Sequence, residues 1–136
     1  MSLPDHLVTG HPELDAQHQE LFERTHDFFK KAKFGVSKEE LRRFLGYLHD
    51  YTITHFRFEE ALMRDLHYPA IWDHEAEHVL FWREVLGLMD HCESMNYTTL
   101  CGARVQSTVT RWLAEHIEKE DMALAQWIRA KTDGML

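Results

Sequence analysis

Residues 38–64 read KEELRRFLGYLHDYTITHFRFEEALMR. Within them Leu41, Phe44, Leu45, Leu48, Tyr51, Thr52, His55, Phe58, Glu59 and Leu62 recur at three- and four-residue steps. That period is helical, and it predicts a long amphipathic helix from about Lys38 to Arg64. One histidine and one glutamate stand in the same stripe as the leucines. An unsatisfied buried polar group costs about 1–3 kcal/mol. The face that should be buried therefore has to find partners for His55 and Glu59.

Three other stretches repeat the pattern. A helix over about Glu13 to Lys33 carries Leu14, His18, Leu21, Phe22, Thr25, Phe28 and Phe29 inward. Phe34-Gly35-Val36-Ser37 should end it, with Gly35 at a C′ position and Ser37 capping the next helix in a box with Glu40. After Asp65-Leu66-His67-Tyr68-Pro69, with Pro69 opening the first turn, a third helix over about Ala70 to His91 turns Ile71, His74, His78, Phe81, Trp82, Val85 and Leu88 inward. Cys92 to Thr99 reads as a loop. The fourth helix, from about Leu100 to Lys131, carries Val105, Val109, Trp112, Leu113, His116, Ile117, Met122, Leu124 and Ile128. No segment alternates with period two. The expected fold is all-α, an antiparallel up-down-up-down four-helix bundle with an irregular N-terminal arm over residues 1–12.

Composition narrows the function. The chain has 136 residues, enough for one domain spanning 1–136, and a net charge of −8. No basic patch suggests nucleic acid, and no Lys/Arg run suggests an anionic membrane. No apolar run approaches the roughly 20 residues of a membrane span. The N-terminus lacks the basic and apolar regions of a signal peptide. Cys92 and Cys101 form neither a CxxC nor a disulfide framework, so two ordinary thiols in a reducing cytoplasm are expected.

The chemistry lies in seven residues on four helices: His18; His55 and Glu59; His74 and His78; His116 and Asp121. Residues i and i+4 share a helical face one turn apart, so His55/Glu59 and His74/His78 can each reach one cavity. Five imidazoles and two carboxylates, without thiolate, suit two ions of iron, manganese or zinc. Each carboxylate has two oxygens and can bridge two ions. His116 and Asp121 stand at i, i+5, about 140° apart on a regular helix. Bringing them together takes a bend, a π-bulge or a wide cavity. A single histidine in such a stripe would more simply be a core residue bonded to a carbonyl; four patterns in register point to metal.

Leu14-Asp15-Ala16-Gln17-His18-Gln19-Glu20-Leu21-Phe22, His55-Phe56-Arg57-Phe58-Glu59-Glu60-Ala61-Leu62-Met63 and Trp112-Leu113-Ala114-Glu115-His116-Ile117, with Tyr68-Pro69, His74, His78 and Asp121, resemble the hemerythrin family, in particular its single-domain bacterial members. The resemblance covers nearly the whole chain. It implies a non-haem di-iron centre that binds O2 reversibly, for storage, delivery or scavenging, and not an enzyme. By the same resemblance His74, His78 and His116 hold one iron and His18 and His55 the other. Glu59, Asp121 and an oxo or hydroxo group bridge the two. Phe56, Trp112, Leu113 and Ile117 would wall the O2 pocket. The partners implied are O2 and, for delivery or signalling, another protein; a monomer is expected. Family members often carry an aromatic-rich arm, where this chain reads Leu7-Val8-Thr9-Gly10. His6, His11, His26, His49, His67 and His91 match no ligand position.

Other readings compete. His74-Glu75-Ala76-Glu77-His78 spells the HExxH of zinc proteases, with Glu75 as base. It would leave the other five residues without a role. Ferritin-like oxidases and peroxidases use paired Glu-x-x-His motifs, and Glu75-x-x-His78 is a single match. The same di-iron centre could also serve as a sensor of oxygen, nitric oxide or redox state, or as a weak peroxidase.

Overall fold

The computed structural model describes residues 3–32 and 35–134. Four long rods form, and each starts and stops for a local reason. α1 spans Pro12–Ala32. α2 spans Lys38–Asp65 and begins at Ser37, whose hydroxyl accepts the Glu40 amide at 3.1 Å. The same hydroxyl donates to the Glu40 carboxylate, so Glu40 meets the cap through the Ser37 side chain and not through the Ser37 backbone amide as the expected capping box would have it. Gly35 takes φ +94°, as a residue just past a helix must. Lys33 and Phe34 lie outside the described residues.

α2 ends in a left-handed turn. His67 adopts φ 56° there, and the Tyr68 amide reaches back to the Met63 carbonyl at 2.9 Å. Pro69 belongs to this turn and not to the first turn of the next helix, because α3, Ile71–Ser94, starts after Ala70. α3 also runs past the expected stop at His91. Cys92 is therefore helical and fully buried, and the connection shortens to Met95–Thr98. Asn96 takes the left-handed position, and the Tyr97 amide bonds the Cys92 carbonyl at 2.8 Å.

The fourth rod is continuous but not uniform. α4, Thr99–Trp112, passes into a π-helical segment, Leu113–Asp121, and then into α5, Met122–Gly134. α1 packs on α2 and α4, and α3 packs on α2 and α4, so the helices close a ring of nearest neighbours. The fold is the all-α four-helix bundle read from the sequence.

Two apolar clusters fill it. The larger includes Leu21, the Phe28–Phe44 stack, Leu45, Leu48, Val85 and Val105. The smaller, Leu14, Met63, Tyr68 and Leu124, caps the opposite end. Phe58 and Leu62 of the predicted stripe are only half-buried, and Phe56 and Met63 are the buried pair, so the α2 face is rotated slightly there.

The arm docks despite its plain sequence. Leu7 is buried in the large cluster, and the 3-10 turn Asp5–Leu7 packs on the π segment. Asp15 accepts from the Thr9 amide, the Thr9 hydroxyl and the Gly10 amide at 2.8, 2.8 and 3.0 Å. Arg129 donates to the Thr9 carbonyl, and Gly10 takes φ +88°, a left-handed conformation that strains any residue with a Cβ. Among the described residues no helix is long and apolar enough to cross a membrane.

Candidate metal centre

Alternating helix direction brings the seven residues to one level. His18 lies early in α1, His55 and Glu59 late in α2, His74 and His78 early in α3, and His116 and Asp121 in the middle of the fourth rod. All seven are at most 2% exposed. They lie between the two apolar clusters. Two groups form whose donor atoms could each hold an ion: Glu59, His74, His78 and His116; and His18, His55 and Asp121.

Every imidazole turns its Nε2 inward. Asp121 Oδ1 lies 3.1 Å from His74 Nε2 and 2.9 Å from His116 Nε2, while its Oδ2 lies 2.8 Å from His18 Nε2 and 3.5 Å from His55 Nε2. One carboxylate thus divides its oxygens between the two groups. Glu59 does so less evenly: Oε1 lies 3.0, 3.2 and 3.5 Å from His55, His78 and His116, and Oε2 lies 3.5 Å from His74.

These spacings test the fit to metal. With bonds of about 2.1 Å, neighbouring corners of an octahedron lie about 3 Å apart. The donors here have that separation. Several also lack hydrogen-bond geometry: His55 Nε2, His74 Nε2, His116 Nε2, Glu59 Oε2 and Asp121 Oδ1 are buried without a partner among the described residues. Residues so arranged fit resident cations.

The i, i+5 spacing finds its explanation in the backbone. The π segment hydrogen-bonds five residues apart, so residues five apart come onto one face. It contains both His116 and Asp121.

Two residues without a role in the sequence pattern orient candidate ligands. Gln17 Oε1 accepts from His55 Nδ1 at 2.6 Å, and Glu60 Oε2 from His78 Nδ1 at 2.9 Å. Each bond fixes which nitrogen faces inward. Both residues are sequence neighbours of a candidate ligand, and that adjacency was the available signal. Without metal, the carboxylates govern the imidazoles. Burial opposes charge on His55, yet Glu59 and Asp121 outweigh it and push its pKa up to about 10. His74 reaches about 10 for the same reasons. Glu59 and Asp121 are held well below the carboxylate range, because the facing imidazoliums overcome burial. Protons then carry the positive charge that cations would supply.

The pocket-wall residues divide. Phe56 stacks on His78 at 3.8 Å and Trp112 on His116 at 3.7 Å, so both pack against the larger group. Ile117 is fully buried and Leu113 half-buried beside them. Glu75 is half-buried on another face of α3 and joins neither group, so the protease reading of His74 and His78 fails. His6, His11, His26, His49, His67 and His91 are exposed or half-buried and join neither group.

The fold and site define a helical-bundle protein with a buried, two-lobed cation site. The sequence model of the hemerythrin HHE cation binding domain matches residues 9–128, and the chain belongs to the hemerythrin family. The family's cofactor is a pair of iron ions, and this buried cluster is able to hold metal ions. Similar proteins include a bacteriohemerythrin of Pseudomonas paraeruginosa, 30% identical over 92% of this chain and 79% of the relative. A bacteriohemerythrin of Stenotrophomonas maltophilia is 26% identical over 93% and 80%. One of Campylobacter jejuni is 27% identical over 87% of each chain.

Proposed function

We propose that the chain binds O2 reversibly at a di-iron centre, to store, deliver or scavenge it. His74, His78 and His116 would hold one iron, His18 and His55 the other, and Glu59 and Asp121 would be shared between them. The observation that carries this reading is the Asp121 carboxylate, with one oxygen toward each histidine group. Three histidines against two leaves the second ion with the smaller protein ligand set, and so with room for a small molecule. Iron ions held there would supply the redox chemistry that reversible oxygen binding needs.

The protein's own part is to orient and to exclude. Gln17 and Glu60 lock the rings of His55 and His78. Phe56 and Trp112 stack on His78 and His116, so with Leu113 and Ile117 they wall chiefly the three-histidine side of the site, and they present no side-chain acid to it. Such a wall keeps out the water and protons that would drain reduced oxygen away. With no catalytic acid in it, the pocket is built for holding and not for turnover.

The test is optical. Anaerobically reduced protein with two irons per chain is titrated with O2, and the gas is then removed. A charge-transfer band that rises with O2 and fades on its removal is expected. A permanent conversion to the oxidised form would contradict reversible binding.

A further inference from the structure

α3 is apolar on two faces. Inward it turns His74, His78, Phe81, Val85 and Leu88, all buried in the bundle. Outward it turns Trp72, Ala76, Val79, Arg83 and Leu86, which recur at three- and four-residue steps on the opposite side. Trp72 is 84% exposed, and Val79, Leu80 and Leu86 are exposed beside it. These four are most of the seven large apolar side chains exposed among the described residues. Single apolar residues scattered over a surface mean little, but a contiguous stripe with a bare tryptophan at its end marks a surface that binds. A helix apolar on both faces is ordinarily covered on both.

The order of residues along the stripe says what covers it. Val79 stands at its middle. Glu75 and Arg83 lie four residues to either side, about 6 Å along the axis, and Trp72 and Leu86 lie seven residues to either side, about 10.5 Å. A twofold axis through Val79 sets two α3 helices antiparallel. It brings each Glu75 to the Arg83 of the other copy, each Trp72 to the other Leu86, and Val79 to its own counterpart. The charges are thus complementary to themselves under that one rotation. Among the described residues neither Glu75 nor Arg83 is in an ion pair, whereas the nearby Arg111 is already held by Glu84. A parallel pairing would set Arg83 against Arg83 and Glu75 against Glu75. An anionic membrane would meet a chain of net charge −8.

We propose that a second copy of this chain covers the outer face of α3, in a twofold dimer of antiparallel α3 helices. Val79 lies on the axis, Trp72 packs on Leu86 across it, and two Glu75–Arg83 ion pairs fix the direction. Such a contact is closed, because it uses the stripe of both copies and leaves none for a third. One helix face per copy makes a small interface, roughly 1,200 Å² or less in total, the size of associations that come and go with concentration. The dimer replaces the monomer expected from the sequence. It rests on surface residues and not on the oxygen-binding reading, so either can fail alone.

The experiment is sedimentation velocity of the iron-loaded protein over a concentration series from micromolar to millimolar. The unaltered chain should pass from monomer to dimer. Val79→Glu sets two carboxylates together on the axis and should leave monomer throughout. Arg83→Glu and Glu75→Arg should each raise the dissociation constant about tenfold or more, since each puts like charges at both symmetric pairs. Mixed together, these two variants should pair with each other, because a chain with carboxylates at both positions then faces one with guanidiniums at both. As an independent readout, Val79→Cys should cross-link two copies on treatment with diamide. Trp72→Cys alone should not, because its two sites lie about 20 Å apart along the helices. Metal analysis of each variant reports an intact bundle; should Glu75→Arg lose its metal, Arg83→Glu and Val79→Cys carry the test. Monomer at every concentration, a dimer that survives Val79→Glu, or no cross-link through Val79→Cys would overturn the assignment. A monomer that floats with phosphatidylcholine vesicles, and ceases to in Trp72→Ser, would overturn it in favour of a lipid surface.

Discussion

The two halves of the bundle are built on opposite principles. The half toward the α1–α2 connection is packed with apolar side chains: the Phe28–Phe44 stack, Leu45, Leu48, Val85, Leu88 and Val105. Burial of such residues is favourable in itself, by roughly 1.5–3 kcal/mol for each large side chain. The other half buries five histidines and two carboxylates, several with donor atoms left unpartnered. That burial is unfavourable until cations complete it. One half holds the helices at a fixed spacing, and the other uses the spacing to present ligands. Stability and metal content should therefore respond to different mutations.

The largest effect should come from Asp121→Ala. It removes the oxygen atoms that face both histidine groups, and iron should fall from two per chain to one or none by metal analysis. Full occupancy would break the bridging assignment. In the apolar half, Leu48→Ala should cost about 2–5 kcal/mol by chemical denaturation while iron stays at two per chain. A loss of iron equal to that in Asp121→Ala would erase the distinction between the halves.

Acid–base behaviour sharpens the comparison. In the metal-free protein His55 and His74 have pKa values pushed up to about 10, against about 6.5 in the unfolded chain. The folded state then holds more protons between those values. Their contribution is full below pH 6.5 and is lost as pH rises through about 10. Denaturation of metal-free protein at pH 6, 8 and 10 should show falling stability. Iron-loaded protein should not follow this trend, because metal replaces those protons. A smaller effect is expected at the pocket wall. Leu113→Ala should admit water and shorten the life of the oxygenated form; an unchanged lifetime would show that Leu113 does not guard the site. The smallest should be Ser37→Ala, which removes the α2 cap in the apolar half at a cost of about 1 kcal/mol without touching oxygen binding.

Much of the architecture was legible because i, i+4 spacing translates directly into a helical face. His55/Glu59 and His74/His78 needed nothing else. His116 and Asp121 were legible only as a conflict, since a regular helix cannot bring them together. The π segment resolves it, and hydrogen-bond ladders of that kind leave no plain sequence signature. Gln17 and Glu60 were missed because an acceptor for an imidazole nitrogen resembles any polar surface residue. The sequence reads Cys92 as the start of a loop, while the actual stop comes later, where Asn96 and Tyr97 take left-handed conformations. The arm looked plain, since what seats it is Asp15 gathering the donors of Thr9 and Gly10.

The most direct test of the central claim is anomalous diffraction at the iron edge from crystals of the iron-loaded protein. The account predicts two iron peaks per chain, with the Asp121 carboxylate between them, His74, His78 and His116 on one and His18 and His55 on the other. A single peak, or an Asp121 that touches just one of two ions, would contradict it.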